Sequence, residues 1–308
     1  MIYVAQGHEQ AIGIEVFLKS FSLLNSVQQK NFSFIAFKET LVTHLNELKI
    51  HYKFENGFLF FNGNKLKVIE PDQLNVPESS ASLITILRLI CSEDILLTLP
   101  TSKDQLILNE KMCKGYTEFL RKKFQESNLC MVFKAFESST LLISDHIPLK
   151  DVPKFITKEI IVKKCQMTLE NFKKYFYPLE EIIFSGINPH CGEGGLLGHE
   201  DQVIDEAIIE LKKEFKINFL GPVSGDTLHF HNNNLKKQLK VYMFHDQGLP
   251  VFKDKFKTIG LNITLGLPFL RMSVDHGTAF DLYGKDKADY SGCYYMLKES
   301  IKIHDVRN

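Results

Sequence analysis

The 308-residue chain balances 37 Lys and Arg against 37 Asp and Glu, for a formal net charge of zero. It therefore lacks the broad basic field that draws nucleic acid or an anionic membrane, and any anion it recognises must be met locally. Its length exceeds a single typical core and predicts one large α/β domain or two lobes, while six scattered cysteines without a CxxC pair predict a reduced, cytoplasmic setting. Ile2 to Ala5 reads as a strand that meets Gln6-Gly7-His8 at once, too short for the apolar core of a secretory leader. Gly7 to Gly13 reads as a loop and Ile14 to Leu24 as a helix. The glycines of that loop either cradle an anion on free N–H groups or simply turn the chain, and they make no dinucleotide fingerprint.

Phe34 to Leu48 has helical spacing, Phe58 to Phe61 and Lys65 to Ile69 predict a hairpin about Asn62-Gly63-Asn64, and Ser79 to Leu89 returns to helix. The longest apolar stretch, Leu83 to Ile90, is broken by Thr85 and Arg88 and falls far below the ~18 residues of a membrane span. Asp94 to Pro100 is a buried strand ending in Thr101-Ser102-Lys103, where the lysine either meets a phosphate or is plainly solvated. Cys113 to Leu120 enters a helix with Thr117 and Glu118 in the first turn, a capping arrangement that needs no function to explain it. Met131 to Ala135 and Thr140 to Ser144 predict a second hairpin, which runs into Asp145-His146-Ile147-Pro148 and so puts a histidine at a strand terminus.

Phe155 to Phe176 carries one or two amphipathic helices, and Glu181 to Gly186 is a short strand. The loop that follows, Asn188-Pro189-His190-Cys191-Gly192-Glu193-Gly194-Gly195-Leu196-Leu197-Gly198, has four glycines in seven residues. Such backbone approaches a ligand closely and takes positive φ, and the added Asn, His and Glu mark the loop as functional. Asp201 to Phe215 is an amphipathic helix, and Phe219-Leu220-Gly221-Pro222 leads to a turn that offers Asp226. The chain is organised around 240–290. One strand, Leu239 to Phe244, stops at His245-Asp246-Gln247-Gly248, and a second, Leu261 to Leu270, is followed by Arg271 and Ser273-Val274-Asp275-His276-Gly277-Thr278. Ligands are held at strand ends in α/β sheets, so two polar ends this close in sequence predict an active site.

These motifs, taken with Ser144 to Leu149, Gly221-Pro222 with Asp226-Thr227, and Pro100 with Lys103, resemble the 4-hydroxythreonine-4-phosphate dehydrogenase family of vitamin B6 synthesis. The resemblance spans nearly the whole chain and is weakest between Leu23 and Leu89. It implies an α/β fold of the isocitrate/isopropylmalate-dehydrogenase type, three-layer α/β/α in two lobes. The first lobe is expected over 1–115 plus 272–308 on the cofactor side, and the second over 116–271 on the metal, substrate and dimerisation side. It further implies a cytoplasmic homodimer with active sites at the subunit interface, using NAD and a divalent metal (zinc, magnesium or cobalt), with no nucleic-acid or membrane partner.

Carried over residue by residue, the resemblance makes His146, His190 and His245 the metal ligands, which need not come from one subunit. Imidazole nitrogens suit zinc or another transition ion, and three protein ligands leave positions open for substrate oxygens. Tyr116, Thr117, Lys253, Asn262 and Arg271 fall on a substrate bearing a phosphate and a carboxylate. His276, Gly277, Thr278 and Asp281 fall on the cofactor, where Asp281 would accept from a ribose diol and repel a 2′-phosphate, favouring NAD over NADP. Asp226 and Asp246 are the catalytic carboxylates, for orienting histidines or moving protons, with the general base left open between them and a water on the metal. The implied reaction oxidises 4-phosphooxy-L-threonine at its C3 hydroxyl and decarboxylates the product to 3-amino-2-oxopropyl phosphate.

Two departures stand out. Tyr116 occupies the place of a family histidine, and Gly7-His8-Glu9 with Ala11 replaces the family's Gly-Asp-Pro opening and a usual glycine. The alternative is therefore a paralogous dehydrogenase of another phosphorylated hydroxy acid, such as 4-phosphoerythronate or threonate 4-phosphate. A non-catalytic metabolite-binding descendant would be expected to have lost the histidine cluster, and all three histidines are present.

Overall fold

Short runs of β-branched and aromatic residues become strands throughout the computed structural model, which describes residues 1–72, 75–126, 128–232 and 236–307. The chain divides into two units, Met1–Ser127 with Leu267–Asn308, and Asn128–Gly266. Arg271, Tyr116 and Thr117 therefore belong to the first unit, whereas the sequence-based boundaries put them in the second lobe. The physical reason is strand pairing: Leu270–Val274 lies parallel to Ile95–Thr98, with Arg271 opposite Leu96.

In the first unit the strand order is Leu270–Val274, Ile95–Thr98, Ile2–Ala5, Phe32–Ile35, Asn64–Ile69, Phe58–Phe61, Tyr52–Glu55. The first five are mutually parallel and the last two are added antiparallel. Phe32–Ile35, Ile95–Thr98 and Leu270–Val274 are buried at every position, the pattern expected of parallel strands covered on both faces. The helix Ser291–Arg307 packs on Leu270–Val274, Ile2–Ala5 and the helix Gly13–Ser22, while Glu78–Leu89 packs on Ile2–Ala5 and Phe32–Ile35. The stretch 34–48, expected to be helical, instead splits into the strand Phe32–Ile35 and the helix Lys38–Glu47. A run of four apolar-rich residues carries no period of its own, and pairing on both sides made it a strand.

In the second unit the order is Asn218–Val223, Glu181–Ser185, Gln238–Tyr242, Ser138–Leu142, Cys130–Ala135, Leu261–Leu265. The first four are parallel, and the last two complete the sheet antiparallel. Its core gathers Met131, Phe133, Leu142, Ile183 and Tyr242 with Leu249 and Phe252 from the helix His245–Phe256. Burying each such side chain contributes about 1.5–3 kcal/mol, enough to seat that helix with its N-terminus fixed. The run Leu261 to Leu270, expected as one strand, is two. Gly266, at φ 96°, turns the chain, and Leu270–Val274 joins the first unit's sheet.

This topology positions the site. Each of the four parallel strands of the second unit delivers a candidate residue beyond its C-terminal end: Asp226, His190, His245 and His146, in sheet order. In the first unit the C-terminal ends of Ile2–Ala5, Ile95–Thr98 and Leu270–Val274 likewise lead into the glycine loop, the Pro100-Thr101 turn and the His276 loop. Among the described residues no helix is long and apolar enough to cross a membrane.

Candidate active site

His146 and His245 meet because their strands are neighbours in parallel register, Leu142 opposite Tyr242. The pairing continues past the strand ends, where Ile143 N–H donates to Tyr242 O (2.9 Å) and Ser144 N–H to Met243 O (3.0 Å). The Ser144 hydroxyl also donates to Met243 O at 2.8 Å. The two imidazole centroids lie 5.4 Å apart. His245 opens its helix, and its Nδ1 lies 3.1 Å from Asp246 Oδ1. A carboxylate at Nδ1 is the kind of contact that orients an imidazole.

His190 is not drawn into this pair. Among the described residues no group of three or more His, Cys, Asp or Glu side chains is placed to hold a metal. His190 rides instead on the turn Pro189–Gly195, where His190, Cys191 and Glu193 take left-handed φ of 50°, 54° and 43°. Each costs a non-glycine residue on the order of 1–2 kcal/mol, so the loop is held in shape by what surrounds it. Asp201, buried at the entrance of the next helix, supplies that hold. Its Oδ1 accepts from Ile187 N–H (2.7 Å), and its Oδ2 accepts from Asn188 N–H (3.2 Å) and Nδ2 (2.9 Å). Gly192 is required, since a Cβ there would strike Gly198 O.

Asp226 is exposed on the turn after Asn218–Val223. Beside it Gln247 joins two strand ends, its Oε1 accepting from Met243 N–H (2.9 Å) and its Nε2 donating to Gly186 O (2.7 Å). Gln247 and Asp201 are the positioning residues that sequence reasoning missed. Gln247 stood inside a quoted motif, whereas Asp201 looked like an ordinary helix start. Lys253 is exposed two turns along the His245 helix, and Asn262 is half-buried opposite Phe133.

The first unit assembles a separate group. Arg271 is 3% exposed, and its Nε and Nη2 donate to Thr98 Oγ1 at 3.2 and 2.6 Å. Its guanidinium carbon sits 5.2 Å from the centre of the Tyr116 ring, a cation–π contact. The Tyr116 hydroxyl donates to Leu99 O at 3.0 Å, so the phenol that replaces a histidine spends its proton on the backbone and its ring on Arg271. Burial pulls the Arg271 pKa down to about 10, which still leaves it cationic at neutral pH, and pushes the Tyr116 phenol well up, against the nearby positive charge. Thr117 is buried beside it in the first turn of Tyr116–Phe124.

The cofactor-assigned residues form a loop on the same unit. Thr278 O accepts from Ile12 N–H (3.1 Å), and Ala279 takes φ 44° as the chain enters the turn Phe280–Leu282, where Asp281 is exposed. Nothing lies within 4 Å of where a Cβ on Gly277 would stand, so this backbone is open to approach. His8, a departure at the level of sequence, lies edge-on to Phe280 with centroids 4.8 Å apart. Its neighbour Glu9 accepts from His44 Nε2 (2.8 Å), and His44 packs on Tyr283. The altered opening loop is thus built into the wall of the 276–285 segment.

A family profile described as pyridoxal phosphate biosynthetic protein PdxA matches residues 31–298. The 4-hydroxythreonine-4-phosphate dehydrogenase of Aquifex aeolicus (strain VF5) is 34% identical over 321 residues, covering 96% of each chain. The crystal structure of 4-hydroxythreonine-4-phosphate dehydrogenase from Klebsiella pneumoniae superposes with a TM-score of 0.76 at 24% identity, covering 99% of this chain and 98% of that one. An isocitrate dehydrogenase from Methylococcus capsulatus gives 0.52 at 11% identity over 99% and 87%, a likeness of fold alone that bears out the expected fold class. Matched over nearly its whole length, the chain belongs to the family of the pyridoxal phosphate biosynthetic protein PdxA, a family of oxidoreductases.

Proposed function

We propose that this protein oxidises 4-phosphooxy-L-threonine at its C3 hydroxyl with NAD and a divalent metal, then releases carbon dioxide to leave 3-amino-2-oxopropyl phosphate for pyridoxal 5′-phosphate synthesis. The observation that carries the reading is the pair His146 and His245, 5.4 Å apart at neighbouring parallel strand ends, with His245 backed by Asp246. The names of the relatives support the substrate.

Imidazole donors with a carboxylate behind one of them fit zinc or cobalt better than magnesium. A homodimer would let a second copy supply a third imidazole, which accords with His190 standing apart from the pair in one chain. Asp281 and the open backbone at Gly277 fit a ribose diol and its phosphate arm. When bound, the metal supplies Lewis acidity to the reacting oxygens and NAD supplies the hydride acceptor.

The chain's own residues do the rest. In the first unit Arg271, cationic and fixed by Thr98 and Tyr116, grips a phosphate or carboxylate with its planar fork, with Thr117 beside it as a donor; the second unit carries its own substrate donors, Lys253 and Asn262. Asp246 backs His245, and the base that takes the C3 hydroxyl proton as hydride leaves C3 is Asp226 or a water held in the site. The resulting β-keto acid loses its carboxylate as carbon dioxide, and the electrons of the broken C–C bond gather on the ketone oxygen beside a protonated group of the chain. The enol so formed takes a proton on the carbon that held the carboxylate to give the ketone. With substrate labelled with ¹³C at the carboxylate, NADH and labelled carbon dioxide are expected in equal amounts. NADH without labelled carbon dioxide would remove the decarboxylation from the proposal.

A further inference from the structure

The second unit contains a cavity of about 300 Å³ whose lining sets four lysines, Lys236, Lys237, Lys240 and Lys255, against one glutamate, Glu137. The sequence builds it from three directions. The hairpin between Cys130–Ala135 and Ser138–Leu142 turns at Phe136 with φ 50° and presents Ser138 and Ser139. Along Gln238–Tyr242 the two-residue period puts Gln238 and Lys240 on one face, away from the buried Leu239 and Val241. The helix His245–Phe256 contributes Lys255 and Phe256 from its last turn.

The charges in the cavity do not cancel. Lys237 is taken by Glu137, and Lys236 reaches Glu181 at 3.0 Å. Lys240 instead donates to neutral oxygens, Asn232 Oδ1 at 2.6 Å and His229 O at 3.3 Å. Lys255 lies 5.1 Å from the Phe256 ring centre. Burial and the like charge of Lys255 pull Lys240 down to about 8. An ammonium half out of water beside another ammonium is a place where an anion is stabilising. One wall is aromatic, with Phe136 and Phe256 centroids 6.4 Å apart. The cavity lies at the N-terminal ends of Ser138–Leu142 and Gln238–Tyr242, whereas His146 and His245 follow the C-terminal ends of the same strands.

We propose that this cavity is a second ligand site, separate from the histidine pair, for a phosphomonoester carrying a small flat apolar body. Lys240 and Lys255 meet the phosphoryl group, and Phe136 and Phe256 meet the body. The phosphoryl chemistry is shared by free phosphate and by a phosphate ester, and the aromatic wall favours the ester.

The test is amine-reactive labelling of the full-length protein at fixed ionic strength, read lysine by lysine by mass spectrometry, with phenyl phosphate or inorganic phosphate present. Phenyl phosphate at about ten times its dissociation constant should slow Lys240 labelling about tenfold and leave the exposed Lys67 unchanged, by simple mass action. Lys255→Met and Phe136→Ala should each shift the protection to higher phenyl phosphate concentration while leaving NADH formation unchanged. Equal slowing at Lys67, or no slowing at Lys240, would overturn the site. Inorganic phosphate protecting as well as phenyl phosphate would overturn the aromatic half of the assignment.

Discussion

Replacing Arg271 with lysine is expected to lower kcat/KM for 4-phosphooxy-L-threonine about a hundredfold. The guanidinium donates through Nε and Nη2 to one oxygen of Thr98 and lies over the face of Tyr116, which together fix its plane. A lysine ammonium keeps the charge but has neither the plane to stack nor the second prong. Charge-assisted hydrogen bonds are worth roughly 1.5–3 kcal/mol each, and losing about 3 kcal/mol corresponds to that factor. Arg271→Met should lose about another tenfold, because the charge goes as well. Both are read from steady-state NADH formation, with thermal melting as the control for folding. Kinetics within threefold of wild type in the lysine variant would mean that Arg271 serves only to brace the strand Leu270–Val274.

Removing either imidazole of the pair should have a larger effect. His146→Ala and His245→Ala are expected to lower kcat at least about a thousandfold, the scale on which a site loses the charge that stabilises its reacting oxygens. Tightly bound metal, measured after dialysis by elemental analysis, should fall from about one ion per site to near zero in both. Asp246→Asn removes the carboxylate behind His245 and should weaken metal binding by about 10–100-fold while keeping the ring in place. Full metal content in both alanine variants would contradict the assignment of this pair.

The sequence was most informative where chemistry concentrates at strand ends. The polar cluster after Phe244 and the glycine-rich loop after Glu181 to Gly186 lie at or beyond strand ends in the structure, whereas the cluster expected after Leu270 begins inside the strand Leu270–Val274, and only Asp275 to Thr278 lie beyond its end. It was least informative where long-range pairing decides. Nothing local says that 32–35 is a strand, or that the run from Leu261 breaks at Gly266 into two strands that belong to different units. The same limit applies to the site. That His146 and His245 would meet follows from their strands being neighbours, a fact of sheet order, and the strand Gln238–Tyr242 separates the strands that deliver His146 and His190. Tyr116 read as a departure at the substrate, whereas its hydroxyl goes to Leu99 O and its ring to Arg271. His8 read as a loop substitution of unknown role, and it packs on Phe280 in the segment assigned to the cofactor. Asp201 and Gln247, which fix the loop of His190 and the strand ends beside His245, carry no signal of their own, because their partners are backbone groups distant in the chain.

The most direct measurement follows NADH formation by the metal-reconstituted protein with 4-phosphooxy-L-threonine and, in parallel, with 4-phosphoerythronate, each repeated after chelator treatment. Turnover of the threonine derivative that the chelator abolishes, with no turnover of the sugar acid, is the predicted result. Turnover of the sugar acid alone, or turnover that survives complete removal of metal, would contradict it.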